Sequence, residues 1–287
     1  MQEDDYPCRE HIMNETEIRQ KIVEAAKKVR ETKPLAPSIT NTVTVNFVAN
    51  AQIACGGSAA MVYLPDEGEF VAKIGGAVYI NMGTLFPVYA DTLPRTARTL
   101  HELKKHWVLD PVGIGIGSLR SDLLRGFKKY PPAIIRGNAS EIIALAKLWD
   151  IEKENVSKGP SGVDSIDDVA SAINAAMELA AFTGGAVAVS GKTDLVTDGK
   201  ICAWSQGGSH FMEKITGAGC SLGGVCAVYA AVTDPFTAAL AASQHYNLAG
   251  KRAEEKSNAP ASFQVNFIDE LYRASPEDIG ANPCRFE

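Results

Sequence analysis

The chain has 287 residues, of which 46% are hydrophobic and 22% charged, a composition typical of folded globular proteins and not of disordered or fibrous ones. Subtracting 34 acidic from 28 basic side chains gives a net charge of −6, and no Lys/Arg cluster marks a surface for nucleic acid or an anionic membrane. The six cysteines show no metal-type spacing, and the acidic amino terminus lacks secretory features, so we expect free thiols and a cytoplasmic location. We expect no membrane span, because no apolar run is long enough to cross a bilayer.

Helical and strand patterns alternate after a flexible tail predicted for residues 1–13, and residues 14–287 are predicted to form a single domain. The first helix begins at Asn14, which forms a capping-box pattern with Glu17, and apolar residues recur at helical spacing as far as Pro34. Four short apolar runs without polar alternation are predicted as buried strands. These runs are 77–80, 107–109, 133–135 and 186–189.

Amphipathic helices are predicted between these strands, at 139–149 and at 168–182, and Gly184 is the expected stop of the second one. This alternation predicts an α/β fold with three layers, in which a mostly parallel sheet has helices on both faces. Asp198-Gly199 between two further apolar runs predicts an antiparallel edge hairpin with a type I′ turn. The final third reads as helices, one of them capped by Asp234.

Polar residues follow the predicted strands at the point where each strand ends: Asn81, Asp110, Arg136 and Ser190. Ligands of open parallel sheets bind outside the carboxyl ends of the strands, so we expect these side chains to form a phosphate-handling edge. Arg136 can bind a phosphate with two nitrogens or simply pair with a surface carboxylate.

A glycine-rich turn, 216–219, precedes an apolar helix and can expose backbone N–H groups to an anion, although a plain glycine turn explains the pattern equally well. Cys220 lies in the first turn of that helix, where the helix N-terminus is expected to lower the thiol pKa. A small buried apolar residue is the alternative for Cys220.

Two carboxylates, Asp110 and Glu141, are candidates to hold Mg²⁺ through water. Each has a plainer alternative, because Asp110 precedes Pro111 and can start a turn, and Glu141 can complete a capping box with Asn138. Met61 can line an apolar pocket or belong to the core.

Two glycine motifs are dismissed. Residues 184–193 nearly match a P-loop but have Ala186 where the first glycine is required, and 113–118 lack the last glycine and the context of a dinucleotide site.

Taken together, seven ordered motifs between residues 20 and 272 resemble the hydroxyethylthiazole kinase family of the ribokinase-like superfamily. The motifs are Ser38-Ile39-Thr40-Asn41, Asn46-Phe47-x-Ala49-Asn50, Asn81-Met82-Gly83-Thr84-Leu85, Asp110-Pro111-Val112-Gly113, Arg136-Gly137-Asn138-Ala139-Ser140-Glu141, Thr216-Gly217-Ala218-Gly219-Cys220 and Ser262-Phe263-Gln264. The resemblance implies a ribokinase-like fold, Mg²⁺-assisted transfer of phosphate from ATP to 4-methyl-5-(2-hydroxyethyl)thiazole in thiamine salvage, and a homotrimer with active sites between subunits.

Site roles follow from the same resemblance. It implies ATP binding by Arg136, Ser190 and Gly219, a metal near Asp110 and Glu141, substrate binding by Asn41, Met61 and Gly217, and a catalytic position for Cys220. Ser190 departs from the threonine more usual in the family.

Three other functions stay open at this point. A kinase of the same fold can act on another small heteroaromatic alcohol, such as hydroxymethylpyrimidine, and a non-catalytic protein can bind the thiazole. Cys220 can also serve as the nucleophile of an acyl-transfer enzyme, although no histidine lies in a recognisable partner motif.

Overall fold

The structure is a computed structural model that describes residues 14–151 and 169–287. The predicted tail at residues 1–13 lies outside the described residues, and the single domain predicted for 14–287 stays a prediction. Within the described ranges, nine strands form one sheet in the order β2-β1-β3-β4-β5-β6-β7-β8-β9. The strands are β1 Leu35–Ile39, β2 Ser58–Met61, β3 Val78–Asn81, β4 Trp107–Asp110, β5 Ile134–Asn138, β6 Ala186–Ser190, β7 Asp194–Thr197, β8 Cys202–Ser205 and β9 Cys284–Phe286.

Strands β1 to β6 pair in parallel, and β6 to β9 pair in antiparallel fashion, so the predicted mostly parallel sheet with an antiparallel hairpin is confirmed. The hairpin is formed by β7 and β8, but it is not the outermost element, because β9 pairs with β8 beyond it.

Helices cover both faces of the sheet, as predicted. The helices are α1 Glu15–Thr32, α2 Val45–Ala54, α3 Pro65–Ile74, α4 Tyr89–Glu102, α5 Ser118–Phe127, α6 Ala139–Leu148, α7 Ile173–Thr183, α8 Ala218–Ala230, α9 Pro235–Glu254, α10 Pro260–Arg273 and α11 Pro276–Ala281. Helices α1, α2 and α8 to α11 pack on one face, and α3 to α7 pack on the other. Each face carries its own apolar core, and α8 is buried on nearly all sides.

Local signals placed several helix ends correctly. Asn14 and Glu17 form the predicted capping box, Gly184 ends α7 with a left-handed φ of 66°, and the Asp234 side chain accepts from the backbone N–H of Thr237 at the start of α9. The predicted helix at 168–182 begins as a 3₁₀ turn, Val169–Ala172, and its first residue lies outside the described ranges.

The predicted type I′ turn is wrong. That turn needs positive φ at both central residues, and only Gly199, at +89°, has it. The carboxylate of Asp198 instead accepts from the backbone N–H groups of Lys200 and Ile201, both at 2.8 Å, and so holds a longer connection.

Three strands, β1, β2 and β9, went unpredicted. Strand β1 contains Pro37, and β2 is the small-residue run Ser-Ala-Ala-Met, so neither has the β-branched composition that marks the central strands. In the part of the chain that the structure describes, no helix combines the length and apolarity needed to cross a bilayer.

Candidate active site

The carboxyl ends of the parallel strands meet at one edge of the sheet, as predicted. Asn81 pairs in register with Asp110, and Asn138 with Ser190. Each of β3, β4 and β6 extends one residue past the end of its apolar run, so its last residue is the polar one. Strand β5 continues two residues past Arg136, which therefore lies inside the strand and not after its end as predicted. The backbone ladder therefore fixes where these polar side chains start.

Arg136 is the centre of this edge. Its Nη1 lies 3.4 Å from Oδ2 of Asp110, and its Nη2 donates to Ser190 Oγ at 2.9 Å. The glycine turn also reaches it, since a Cβ on Gly219 would lie 2.8 Å from both terminal nitrogens. Arg136 is only 7% exposed, so the alternative of a surface carboxylate partner is wrong.

Asp110 is fully buried, and its two oxygens are used differently. Oδ2 accepts from the Tyr79 hydroxyl at 2.9 Å and from Asn81 Nδ2 at 3.1 Å, and it also faces Arg136. Oδ1 has no hydrogen-bond partner among the described residues. Burial raises the pKa of the Asp110 carboxyl to about 7, even though the charge of Arg136 opposes this shift.

Tyr79 belongs to this site although it was not among the predicted site residues. Its hydroxyl donates to Asp110 and accepts from Asn81 Nδ2 at 2.8 Å. A signal was available, because Tyr79 stands two residues before Asn81 on β3, and alternate residues of a strand share a face. Burial, followed by the charge of Asp110, raises the pKa of Tyr79, so its hydroxyl stays protonated.

Arg136 keeps its charge in this buried position. Burial opposes ionisation, but the carboxylates of Asp110 and Glu141 outweigh it and raise the pKa of Arg136. The guanidinium is therefore permanently charged, and its Nε has no partner among the described residues. It can still bind an anionic ligand.

Glu141 forms the capping box that was its plainer alternative. Its Oε2 accepts from the Asn138 backbone N–H at 2.9 Å, and the Asn138 side chain accepts from the Glu141 N–H at 2.9 Å. The Glu141 charge nevertheless raises the pKa of both Asp110 and Arg136. Glu141 therefore both caps α6 and acts electrostatically on the site.

Cys220 and Asn41 meet at the first turn of α8. Asn41 Nδ2 lies 3.6 Å from the Cys220 sulfur and donates to Asn81 Oδ1 at 2.9 Å, which links the turn after β1 to the Asp110 group. The five cysteines in the described ranges are all free, as expected.

The predicted lowering of the Cys220 pKa is wrong. Burial, followed by the nearby Asp110 charge, raises the pKa of the thiol. Cys220 is therefore a neutral thiol at pH 7.

Gly217 precedes α8 in a left-handed conformation with a φ of +93°. A Cβ there would lie 2.9 Å from Thr44 Cγ2 and 3.3 Å from the Phe47 ring, so both the conformation and the space favour glycine.

Met61 stands apart from the Arg136 group. It ends β2 at the margin of the sheet, opposite Ser38 of β1, and β1 and β3 separate it from β4. Three strand spacings place the backbones of β2 and β4 about 14 Å apart.

Comparison with known proteins identifies the family. Residues 26–277 match the model of the Hydroxyethylthiazole kinase family. The chain is 52% identical to hydroxyethylthiazole kinase of Bifidobacterium longum (strain DJO10A), with 96% of this chain and 93% of that protein covered. The structure resembles that of hydroxyethylthiazole kinase from Pyrococcus horikoshii OT3 with a TM-score of 0.83 and 31% identity, covering 93% of this chain and 99% of the other.

A ribokinase-like superfamily protein from Enterococcus faecalis V583 shares the fold with a TM-score of 0.60 at 12% identity, covering 89% of this chain and 94% of that protein. The fold is therefore the ribokinase-like one that the sequence predicted, with a mostly parallel sheet between two helical layers. The chain belongs to the hydroxyethylthiazole kinase family.

Proposed function

We propose that this protein transfers phosphate from ATP to the primary alcohol of 4-methyl-5-(2-hydroxyethyl)thiazole, as its relatives' name describes, and thereby serves thiamine salvage. The observation that carries the proposal is that the N-terminus of α8 lies next to both the group that would bind phosphate and the residues that would bind the alcohol. Gly219 lies against the Arg136 guanidinium, and Cys220, the next residue, contacts Asn41. A phosphate on Arg136 and an alcohol beside Cys220 would thus lie next to the same unpaired backbone N–H groups.

We assign nucleotide binding to Arg136, Ser190 and Gly219. The two terminal nitrogens of Arg136 already have partners in Asp110 and Ser190, while Nε is a buried donor without one in the described ranges. Nucleotide phosphate oxygens would supply acceptors for this guanidinium in charge-assisted hydrogen bonds.

Asp110 and Glu141 fit the Mg²⁺ ion that the family implies. Asp110 Oδ1 is a buried oxygen without a partner among the described residues, which suits a water ligand of Mg²⁺. Among those same residues, no three His, Cys, Asp or Glu side chains are grouped to share a metal, which agrees with an ion held mainly by water and phosphate. Asp110 and Glu141 would hold the ion, which would neutralise phosphate charge when bound.

The residues around the alcohol position it and need not remove its proton early. Phosphoryl transfer through a loose transition state depends mostly on alignment and charge stabilisation. Because burial raises the pKa of Cys220, its neutral thiol can donate or accept a weak hydrogen bond but is not a thiolate base. Asn41 holds the turn beside it, and the amides of 217–219 face the group in transfer.

A homotrimer with active sites between subunits is also part of the proposal. Met61, a substrate-binding position in the family, lies at the sheet margin and about three strands away from Asp110. Helix α2 packs on β2, and α10 packs on α2. Exposed apolar side chains lie in the turn before α2, on α2, next to β2 and on α10: Val43, Ile53, Leu64 and Val265. Such a surface is typical of an interface, and a partner subunit could bring its own Met61 to the Cys220 end.

The assembly can be tested with a matched pair of charge insertions. Ile53→Glu places a charge on the α2 surface, and Leu103→Glu places one on the opposite helical layer. We expect Ile53→Glu to dissociate the trimer in sedimentation and to lower activity on dilution, while Leu103→Glu stays trimeric. A fully active monomer would contradict the shared site.

The reaction itself is tested by ADP release from the purified protein with ATP and Mg²⁺, with and without the thiazole, and by the mass of the product. We expect thiazole-dependent ADP release that Arg136→Ala abolishes. Stimulation by hydroxymethylpyrimidine but not by the thiazole would keep the chemistry and change the substrate, and binding without turnover would support the non-catalytic alternative. We place the reaction in the cytoplasm, which cell fractionation can check.

A further inference from the structure

A second buried carboxylate, Asp194, lies next to the proposed nucleotide site and has no role in the mechanism described above. It is the first residue of β7 and is 8% exposed. Both of its hydrogen-bond donors in the described ranges are neutral groups, the backbone N–H of Gly191 and the side-chain amide of Asn247. Burying a carboxylate without a cation in contact costs free energy, so packing alone does not account for a carboxylate at this position.

The first contact of Asp194 fixes the turn that follows β6. Its Oδ1 accepts from the Gly191 N–H at 3.0 Å. In addition, a Cβ on Gly191 would lie 2.2 Å from Val169 Cγ2, so Val169 packs closely against this backbone. Gly191 directly follows Ser190, whose Oγ accepts from Arg136 Nη2. Asp194 and Val169 therefore both contact the backbone next to the hydroxyl that faces Arg136.

The second contact anchors the carboxylate to the helical layer. Asp194 Oδ2 accepts from Asn247 Nδ2 at 3.2 Å, and the same amide donates to Ser205 Oγ at 2.9 Å. Asn247 belongs to α9, a helix packed on β6, β7 and β8. The position of Asp194 is thus set by α9 and β8 together, and none of the described hydrogen bonds of Asp194 involves Asn41 or Cys220.

We propose that Asp194 is a positioning residue for the nucleotide: it fixes the turn at Ser190 and Gly191 so that Ser190 holds the Arg136 guanidinium toward the ATP phosphates. This inference rests on the proposed binding of ATP at Arg136 and Ser190. Without the carboxylate, the Gly191 N–H loses its acceptor, the turn can move, and Arg136 loses a fixed partner. Thiazole binding at Asn41 and Cys220 is not changed.

The first test is Asp194→Ala, with KM for ATP and for the thiazole, ADP affinity by calorimetry, and Tm measured together. Loss of a hydrogen bond to a charged group predicts a rise of about tenfold in KM for ATP and in the Kd for ADP. KM for the thiazole should stay within about twofold. Asp234→Ala is the matched control, because it also removes a carboxylate that accepts a backbone N–H, at the far end of α9, and should lower Tm without changing either KM.

A reciprocal exchange gives the second test. Asp194→Asn keeps an oxygen for Gly191 but sets two amide NH₂ groups against each other, so KM for ATP should rise partway. In Asp194→Asn/Asn247→Asp, the new amide accepts from Gly191 and donates to the new carboxylate, and KM for ATP should return to within about twofold of wild type. Asp194→Asn is nearly isosteric, so it serves if the alanine variant does not fold.

The inference is overturned if the Asp194 variants lower Tm as Asp234→Ala does but leave KM for ATP and ADP affinity unchanged. It is also overturned if Asp194→Asn/Asn247→Asp folds but its KM for ATP does not return toward the wild-type value. A wild-type protein that binds ADP but shows no thiazole-dependent turnover would instead contradict the proposed function. The two failures are therefore distinguishable.

Discussion

The guanidinium of Arg136 lies 3.4 Å from the carboxylate of Asp110, and both side chains are buried, so each is the main charged neighbour of the other. Asp110 keeps one oxygen without a described partner, and Arg136 keeps one nitrogen. Each member of the pair thus has a polar atom free to bind a charged ligand, as is typical of functional sites.

Arg136→Ala should remove both stability and activity. It leaves the Asp110 carboxylate buried without its cation, and breaking a buried pair in this way costs about 3–5 kcal/mol. We expect a lower Tm and a loss of kcat/KM of at least about a hundredfold. Arg125→Ala is the control, because that ion pair with Asp122 is exposed, and it should leave Tm and activity near wild type. Retained turnover in Arg136→Ala would refute its role.

Tyr79→Phe tests whether the hydroxyl orients Asp110. The ring, which packs against Gly223, is retained, and only the hydrogen bonds to Asp110 and Asn81 are lost. Because the hydroxyl lowers the pKa of Asp110 against the raising effect of burial, its loss should raise that pKa further above about 7. We expect kcat to fall about tenfold and the acid limb of the kcat profile to move to higher pH. The control is Tyr272→Phe on the exposed surface, and an unshifted profile would contradict the prediction.

Cys220→Ala should lower kcat and leave the affinity for ATP nearly unchanged, because the thiol lies at the Asn41 end and not at Ser190. Cys220→Asp should keep substantial activity, since a carboxylate can also hydrogen-bond the alcohol. The half-buried Cys284 supplies the control, Cys284→Ala. Full turnover by Cys220→Ala would show that the thiol has no part in the reaction.

Gly219→Ala should disturb Arg136 directly. The added Cβ would lie 2.8 Å from both terminal nitrogens of a side chain that is buried and paired, so the guanidinium must move. We expect KM for ATP to rise about tenfold. Gly126→Ala, where nothing lies within 4 Å, should instead stabilise α5 by about 0.5–1 kcal/mol. Equal behaviour of the two variants would argue against close packing at Gly219.

The buried His245 should make stability depend on pH. Its Nε2 donates to the Leu271 carbonyl at 2.8 Å and its Nδ1 accepts from the Tyr229 hydroxyl at 3.0 Å, and burial lowers its pKa from 6.5 to about 4. Between these pH values only the unfolded chain binds the proton, so lowering the pH through this window should reduce the free energy of unfolding by about 3 kcal/mol.

The contribution of His245 is isolated by difference. Asp110 has a raised pKa and acts in the opposite direction over the same pH range, so denaturant titrations should compare wild type with His245→Gln at each pH. The stability of wild type should fall more steeply than that of the variant as the pH drops from 6.5 to 4. Parallel curves would contradict a neutral buried imidazole.

Several features followed from local sequence, because their physical causes are local. The capping boxes at Asn14 and Asn138 involve residues three positions apart, and the central strands are apolar runs buried on both faces. The polar residues that end these strands were expected at one edge, because parallel strands place their carboxyl ends together. Strand β9 could not be foreseen in this way, since it is three residues long and owes its existence to pairing with β8.

The sequence by itself determined the alternation of strands and helices, the family motifs and the set of polar residues at the strand ends, because these depend on spacing along the chain. Only the tertiary structure decided which of those residues touch, and with what protonation. It raised the pKa of Cys220 where the helix position alone predicted a decrease, and it brought Tyr79 to Asp110 and Asp194 to Gly191. Burial and contacts between distant segments set these properties, and the sequence of a single helix or strand reveals neither.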